Sequence, residues 1–142
     1  MFVIDASVYV SRFRRQEAQH AQSVALLEAI AAQKVPVLCP EILVPEVSAA
    51  LARGLDDSDF ARRVATHLRV LPGHHFVAVD RGLSRLAAWL AADCRLRGCD
   101  AIYAALAQRE GIPLITWDGQ QRERAVPMVE ALTPAEVLAV LE

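Results

Sequence analysis

No run of apolar residues in this sequence approaches the ~18 that cross a bilayer. The opening stretch Met1-Phe2-Val3-Ile4-Asp5 also lacks the basic region and cleavage site of a secretory leader. Both absences point to a cytoplasmic protein without a membrane partner. Cysteine is scarce and odd in number, only Cys39, Cys94 and Cys99. A disulfide framework is therefore not expected, and His20, His67, His74 and His75 fall in no spacing that completes a zinc site. The thiols read as small apolar fillers. Positive charge is not in excess either: 15 Lys+Arg against 17 Asp+Glu give a formal net charge of −2. That weighs against a protein that coats or packages duplex nucleic acid with high affinity, and leaves room for an enzyme that holds RNA briefly. Lysine is almost missing. Lys34 is the single one, so 14 of the 15 basic residues are arginines, whose planar donors match phosphate in pairs. Internal repeats, low-complexity segments and linkers are absent as well. A chain of 142 residues that is 54% hydrophobic can bury one core and not two, so one domain is expected over residues 1–142.

What is present alternates between strand and helix. Residues 2–5 read as a short apolar strand, and 6–15 and 17–33 carry helical periodicity. Pro36 to Cys39 is a second strand. A helical stretch from Pro40 to Arg53 follows, stopped by Gly54, with Pro45 marking a kink or the true first turn. Asp56-Asp57-Ser58-Asp59 reads as the capped start of a helix reaching Val70. Phe76 to Val79 is a third strand. Asp80 caps a long helix to Arg97, within which Asp93 is an i,i+4 partner for Arg97; Gly98 breaks it, and a further helix spans Asp100 to Glu110. Pro113 to Trp117 and Met128 to Leu132 are the last strands. Thr133 then opens a final helix with Glu136 completing a capping box.

Short apolar strands separated by helices belong to a parallel sheet covered on both faces, an α/β fold. Ligands bind such sheets beyond the carboxyl ends of the strands, where the winding reverses. Asp5 and Asp118 each end a strand, and Glu46 and Asp100 lie in helical patterns. If the first and fourth strands are neighbours, four carboxylates can meet on one rim. Carboxylate oxygens are hard ligands suited to Mg²⁺ or Mn²⁺, and such ions are the usual means of attacking a phosphodiester. Singly, each acid has a plainer role: Asp5 and Asp100 as helix caps, Asp118-Gly119 as a turn, Glu46 as a solvated helix residue. The combination is what carries the reading. Ser7 and Thr116, each two residues from a strand-end aspartate, are candidates for orienting a carboxylate or a water. Arg12, Arg14, Arg15, Arg122 and Arg124 are candidate phosphate contacts. A receiver domain is disfavoured, because Asp5 is followed by Ala6-Ser7 instead of a second acid and Lys34 lies before the second strand.

These pieces resemble the PIN-domain ribonucleases, and most closely the VapC toxins of toxin–antitoxin pairs. The matching segments are Val3-Ile4-Asp5-Ala6-Ser7, Pro45-Glu46-Val47 through Leu51, Leu96-Arg97-Gly98-Cys99-Asp100 through Ala107, and Leu114-Ile115-Thr116-Trp117-Asp118. Ala49 departs from the pattern, where many relatives carry an asparagine. The resemblance implies a three-layer α/β/α domain with a five-stranded parallel sheet in the order 3-2-1-4-5. It further implies catalytic and metal-binding roles for Asp5, Glu46, Asp100 and Asp118 toward one or two Mg²⁺ or Mn²⁺ ions, hydrolysis of an RNA substrate, a cognate antitoxin and a homodimer. Apolar side chains at Leu43, Val47, Leu51, Phe60, Val64 and Leu68 exceed what covering a small sheet obviously needs, which also points to a dimer. Alternatives of the same fold are a housekeeping RNA-processing nuclease and a catalytically silent binding module.

Overall fold

Five short parallel strands form one sheet in the computed structural model, which describes residues 1–141. They are β1 (Phe2–Ile4), β2 (Val37–Pro40), β3 (His74–Val77), β4 (Leu114–Ile115) and β5 (Ala131–Leu132), in the order β3-β2-β1-β4-β5. The order is the one expected, and it puts β1 against β4, with Val3 opposite Leu114 and Ile4 opposite Ile115. Parallel strands need long crossovers. Helices α1 (Ala6–Phe13) and α2 (His20–Ala32) join β1 to β2, and α3 (Leu43–Leu55) and α4 (Ser58–Leu68) join β2 to β3. The winding then reverses. Helices α5 (Arg81–Cys94) and α6 (Gly98–Glu110) lead from β3 to β4, and α7 (Gly119–Ala125) leads from β4 to β5, before α8 (Pro134–Leu141) returns to α2. Right-handed crossovers place the two sets on opposite faces, giving three layers. Val3, Ile4, Val37, Leu114 and Ile115 are wholly buried between them. Among the described residues no helix is long and apolar enough to cross a membrane.

Several boundaries differ from the sequence-based expectation, each for a local reason. Gly54 does not stop α3. The helix runs through it to Leu55 and closes on Asp56, whose φ of 52° is left-handed, while Asp57 caps α4 by accepting the Phe60 N–H at 2.8 Å. Pro45 sits in the first turn of α3, where its missing N–H has no helical partner to lose. Helix α5 ends at Cys94, not Arg97, because Arg95 turns left-handed at φ 56° and the Leu96 N–H reaches back to Ala91 O at 3.1 Å, a Schellman-type close. Gly98 accordingly opens α6. Strand β3 lies two residues earlier than expected, in register from Val37–His74 to Pro40–Val77. The final capping box is as expected, with the Thr133 N–H donating to Glu136 at 2.7 Å.

The apolar surplus on α3 and α4 does not exist as surface. Leu43, Val47 and Leu51 are fully buried, and Val64 and Leu68 nearly so, with Phe60 packed edge-on against Phe13 of α1. At roughly 1.5–3 kcal/mol for each such side chain, this burial stabilises the monomer itself. It gives no argument for a dimer.

Candidate active site

Each of the four acids is delivered by the start of a helix at the carboxyl edge of the sheet. Asp5 leaves β1 with an extended backbone, takes the place before the first turn of α1, and accepts the Ser7 N–H on Oδ2 at 2.8 Å. Asp118 does the same after β4: its Oδ1 accepts the N–H groups of Gln120 and Gln121 at 2.9 and 3.0 Å. Capping and a site role are therefore compatible, since Asp118 Oδ2 takes no part in the cap and instead meets Arg97, which lines the groove. Glu46 lies in the first turn of α3 and Asp100 in the first turn of α6. One groove of about 580 Å³ takes all four into its wall, together with Ser7, Arg53 and Arg97.

The two hydroxyls singled out in the sequence do meet the acids. Thr116 Oγ1 donates to Asp5 Oδ2 at 3.4 Å and accepts the Asp118 N–H at 3.0 Å, so one side chain ties both strand-end aspartates together. Ser7 Oγ lies 3.5 Å from Thr116 Oγ1 and accepts the Trp117 N–H at 3.1 Å. Burial holds the Asp5 carboxyl above its ordinary pKa, opposed by the hydrogen bonds from Ser7 and reinforced by the charge of Asp100. Burial also raises Glu46, against the Tyr103 hydroxyl bond and with the repulsion of Asp5 and Asp100. Like charges crowd here. Four hard carboxylates on one rim are the donor set that suits Mg²⁺ or Mn²⁺. In the present arrangement no three His, Cys, Asp or Glu side chains among the described residues are gathered to enclose one ion. Between Asp100 and Asp118 it is the Arg97 guanidinium that bridges, with Nε at 2.8 Å from Asp100 Oδ2 and Nη2 at 2.5 Å from Asp118 Oδ2.

Residues 2–127 match the family model described as PIN domain. The chain belongs to the PIN domain family. No curated protein matches it. Among solved structures the PIN domain is similar to VapC20 of Mycobacterium tuberculosis, described as a sarcin-ricin loop cleaving toxin. That match has TM-score 0.72 and 21% identity over 92% of this chain and 98% of that one. FitAcB from Neisseria gonorrhoeae matches with TM-score 0.72 and 19% identity over 95% and 99% of the two chains. A toxin–antitoxin complex from Klebsiella pneumoniae matches with TM-score 0.67 and 18% identity over 94% and 98%. At these identities what is shared is the fold.

Three residues that touch the acids or their helix, one lining this PIN domain's groove and two buried behind it, carry no clear sequence signal of their own. The expected i,i+4 pairing of Arg97 with Asp93 does not form, because the left-handed Arg95 ends α5 early. Tyr103 is wholly buried and donates its hydroxyl to Glu46 Oε2 at 2.5 Å; its place one turn after Asp100 on α6 is the signal that could have found it. Gln121 is also buried, donating to Asp100 O at 3.3 Å, and its Oε1 is the one buried side-chain polar atom without a partner among the described residues. None of the five arginines expected as phosphate contacts lines that groove, though Arg122 borders a neighbouring cavity together with Thr116 and Asp118. Arg14 pairs with Glu17 at 2.6 Å, Arg122 with Glu136 at 3.0 Å, and Arg124 donates to Arg95 O at 2.6 Å. Arg12 and Arg15 border other cavities.

Proposed function

We propose that this PIN domain, a single domain over the whole chain, is a cytoplasmic endoribonuclease that hydrolyses RNA phosphodiester bonds with Mg²⁺ or Mn²⁺. We propose further that it is the toxin of a VapBC-type pair, inhibited by a cognate antitoxin and assembled as a homodimer. The observation that carries the enzymatic reading is the convergence of Asp5, Glu46, Asp100 and Asp118 from four separate helix starts on one groove. Packing alone gives no reason to pay the repulsion of such a set. A divalent ion held by these carboxylates supplies the positive charge that activates a water and offsets the phosphate oxygens. The side chains contribute position. Thr116 and Ser7 hold Asp5, and Tyr103 holds Glu46.

The toxin assignment is supported by the likeness to VapC20 and to the Klebsiella toxin–antitoxin complex. The homodimer rests on the family resemblance alone, and sedimentation at micromolar concentration tests it. Expression of the chain is expected to arrest bacterial growth, and co-expression of a short DNA-binding protein encoded beside it is expected to relieve the arrest. Undiminished growth at high expression of soluble protein would remove the toxin assignment and leave an RNA-processing nuclease of the same fold.

A further inference from the structure

Two arginines border the acid groove and are differently engaged. Arg53, in the last turn of α3, forms no ion pair among the described residues. Arg97 forms two, and does so from the solvent side: its side chain is 68% exposed, against 16% for Asp100 and 27% for Asp118. Its Nε and Nη2 are used, and no described acceptor holds Nη1. Arg97 precedes α6 in extended conformation and makes no side-chain capping bond, so its guanidinium can swing away without unwinding the helix. Pairs this exposed are weak.

The guanidinium already occupies the Asp100 Oδ2 and Asp118 Oδ2 oxygens that a cation would use, and its own positive charge beside them opposes a second cation. Arginine and cation compete there. A guanidinium displaced from them remains tethered at the rim, where a strand lying in the groove presents phosphate oxygens that match its planar fork. We propose that Arg97 is an exchanging counter-ion: it covers Asp100 and Asp118 until a divalent cation takes those oxygens, and then binds a phosphate of the RNA strand. Cation and RNA are thereby coupled, each favouring the other. This inference rests on the ribonuclease reading above.

The test measures binding, not turnover, with Mn²⁺ and a single-stranded 2′-O-methyl RNA dodecamer as probes. Arg97→Gln is expected to bind Mn²⁺ alone several-fold more tightly, because the internal competitor is gone. With Mn²⁺ present it should bind the dodecamer several-fold more weakly, with a salt slope shallower by roughly 0.7 for one lost phosphate contact to a single strand. Arg97→Lys should fall between the two, keeping the charge and losing the fork. Arg62→Gln, which breaks an exposed pair with Asp59, should alter neither affinity. Equal or weaker Mn²⁺ binding by Arg97→Gln would overturn the proposal and make the arginine a brace for the acids; so would dodecamer binding equal to wild type. Failure of the wild-type protein to bind either probe would instead sink the ribonuclease reading and the inference with it.

Discussion

The Tyr103 hydroxyl donates to Glu46 Oε2 at 2.5 Å, joining α6 to the first turn of α3 by a hydrogen bond that ends in the groove. Tyr103 is wholly buried, and its pKa is pushed up by burial and by the charge of Glu46, so the phenol stays protonated as donor. Tyr103→Phe keeps the packing and removes the bond. Stability should fall by about 1 kcal/mol, the net worth of one such hydrogen bond. The larger effect should be on the site, where an unheld Glu46 lowers both RNA cleavage and the melting shift on adding Mg²⁺. Denaturant melts beside a cleavage assay separate the two; a variant with lost stability and full activity would make the bond purely structural.

Asp118 combines a cap with a groove-facing oxygen, and substitution can divide them. Asparagine caps about as well as aspartate, so Asp118→Asn should hold the metal-free stability within about 0.5 kcal/mol while shrinking the response to Mg²⁺. For a dissociation constant on the order of 1 mM, about 10 mM Mg²⁺ should stabilise the wild type by roughly 1.4 kcal/mol, a few degrees of melting temperature. Asp80 is the control, because it also follows a strand and caps a helix, accepting the Leu83 N–H at 2.8 Å, yet it belongs to the sheet edge at β3. Asp80→Ala should cost about 1 kcal/mol and leave the Mg²⁺ shift whole. A full shift in Asp118→Asn, measured by thermal melts, would return Asp118 to an ordinary cap.

His74 gives stability a dependence on pH unrelated to the groove. Its Nε2 lies 2.9 Å from the Tyr9 hydroxyl and its Nδ1 3.1 Å from Pro72 O, and burial holds its pKa below the ordinary value of 6.5. Nearby Cys39, with a thiol pushed up to about 12 by burial, offers no charge to compensate. The unfolded chain therefore binds a proton first as pH falls. The contribution is fully present above about 6.5 and is lost progressively toward the depressed folded value. Urea midpoints from pH 7.5 to 5.5 should decline in the wild type and decline less in His74→Gln. Identical pH profiles would assign the loss to other groups.

The sequence disclosed the sheet order and the acids because both are marked locally or by family pattern. Asp5 and Asp118 end apolar strands, and Glu46 and Asp100 sit in segments that resemble PIN domains. What it hid depends on tertiary placement. The polar pair His74-His75 does not read as a strand, yet hydrogen bonds to one neighbour suffice at an edge. Helix α7, Gly-Gln-Gln-Arg-Glu-Arg-Ala, has no apolar stripe, and the cap from Asp118 organises it. Arg95 closes α5 in a left-handed conformation where glycine is the usual signal, and this local choice decides that Arg97 faces Asp100 and Asp118 instead of Asp93. The apolar residues of α3 and α4 were legible as apolar, but whether they face a core or a partner is settled only by packing.

Cleavage of a single-stranded RNA by the purified protein, with Mg²⁺ and then with excess EDTA, and repeated with Asp100→Asn, decides whether the four acids form a metal-dependent nuclease site. Asp100 suits the purpose because the one hydrogen bond its side chain makes among the described residues is to Arg97, so its amide should leave the fold intact. The wild type should cleave in Mg²⁺, stop in EDTA and recover on adding Mg²⁺ or Mn²⁺, and Asp100→Asn should lose at least a hundredfold, about 2.7 kcal/mol of transition-state stabilisation. Wild-type cleavage that persists in EDTA, or an Asp100→Asn protein that cuts at the wild-type rate, would contradict that assignment.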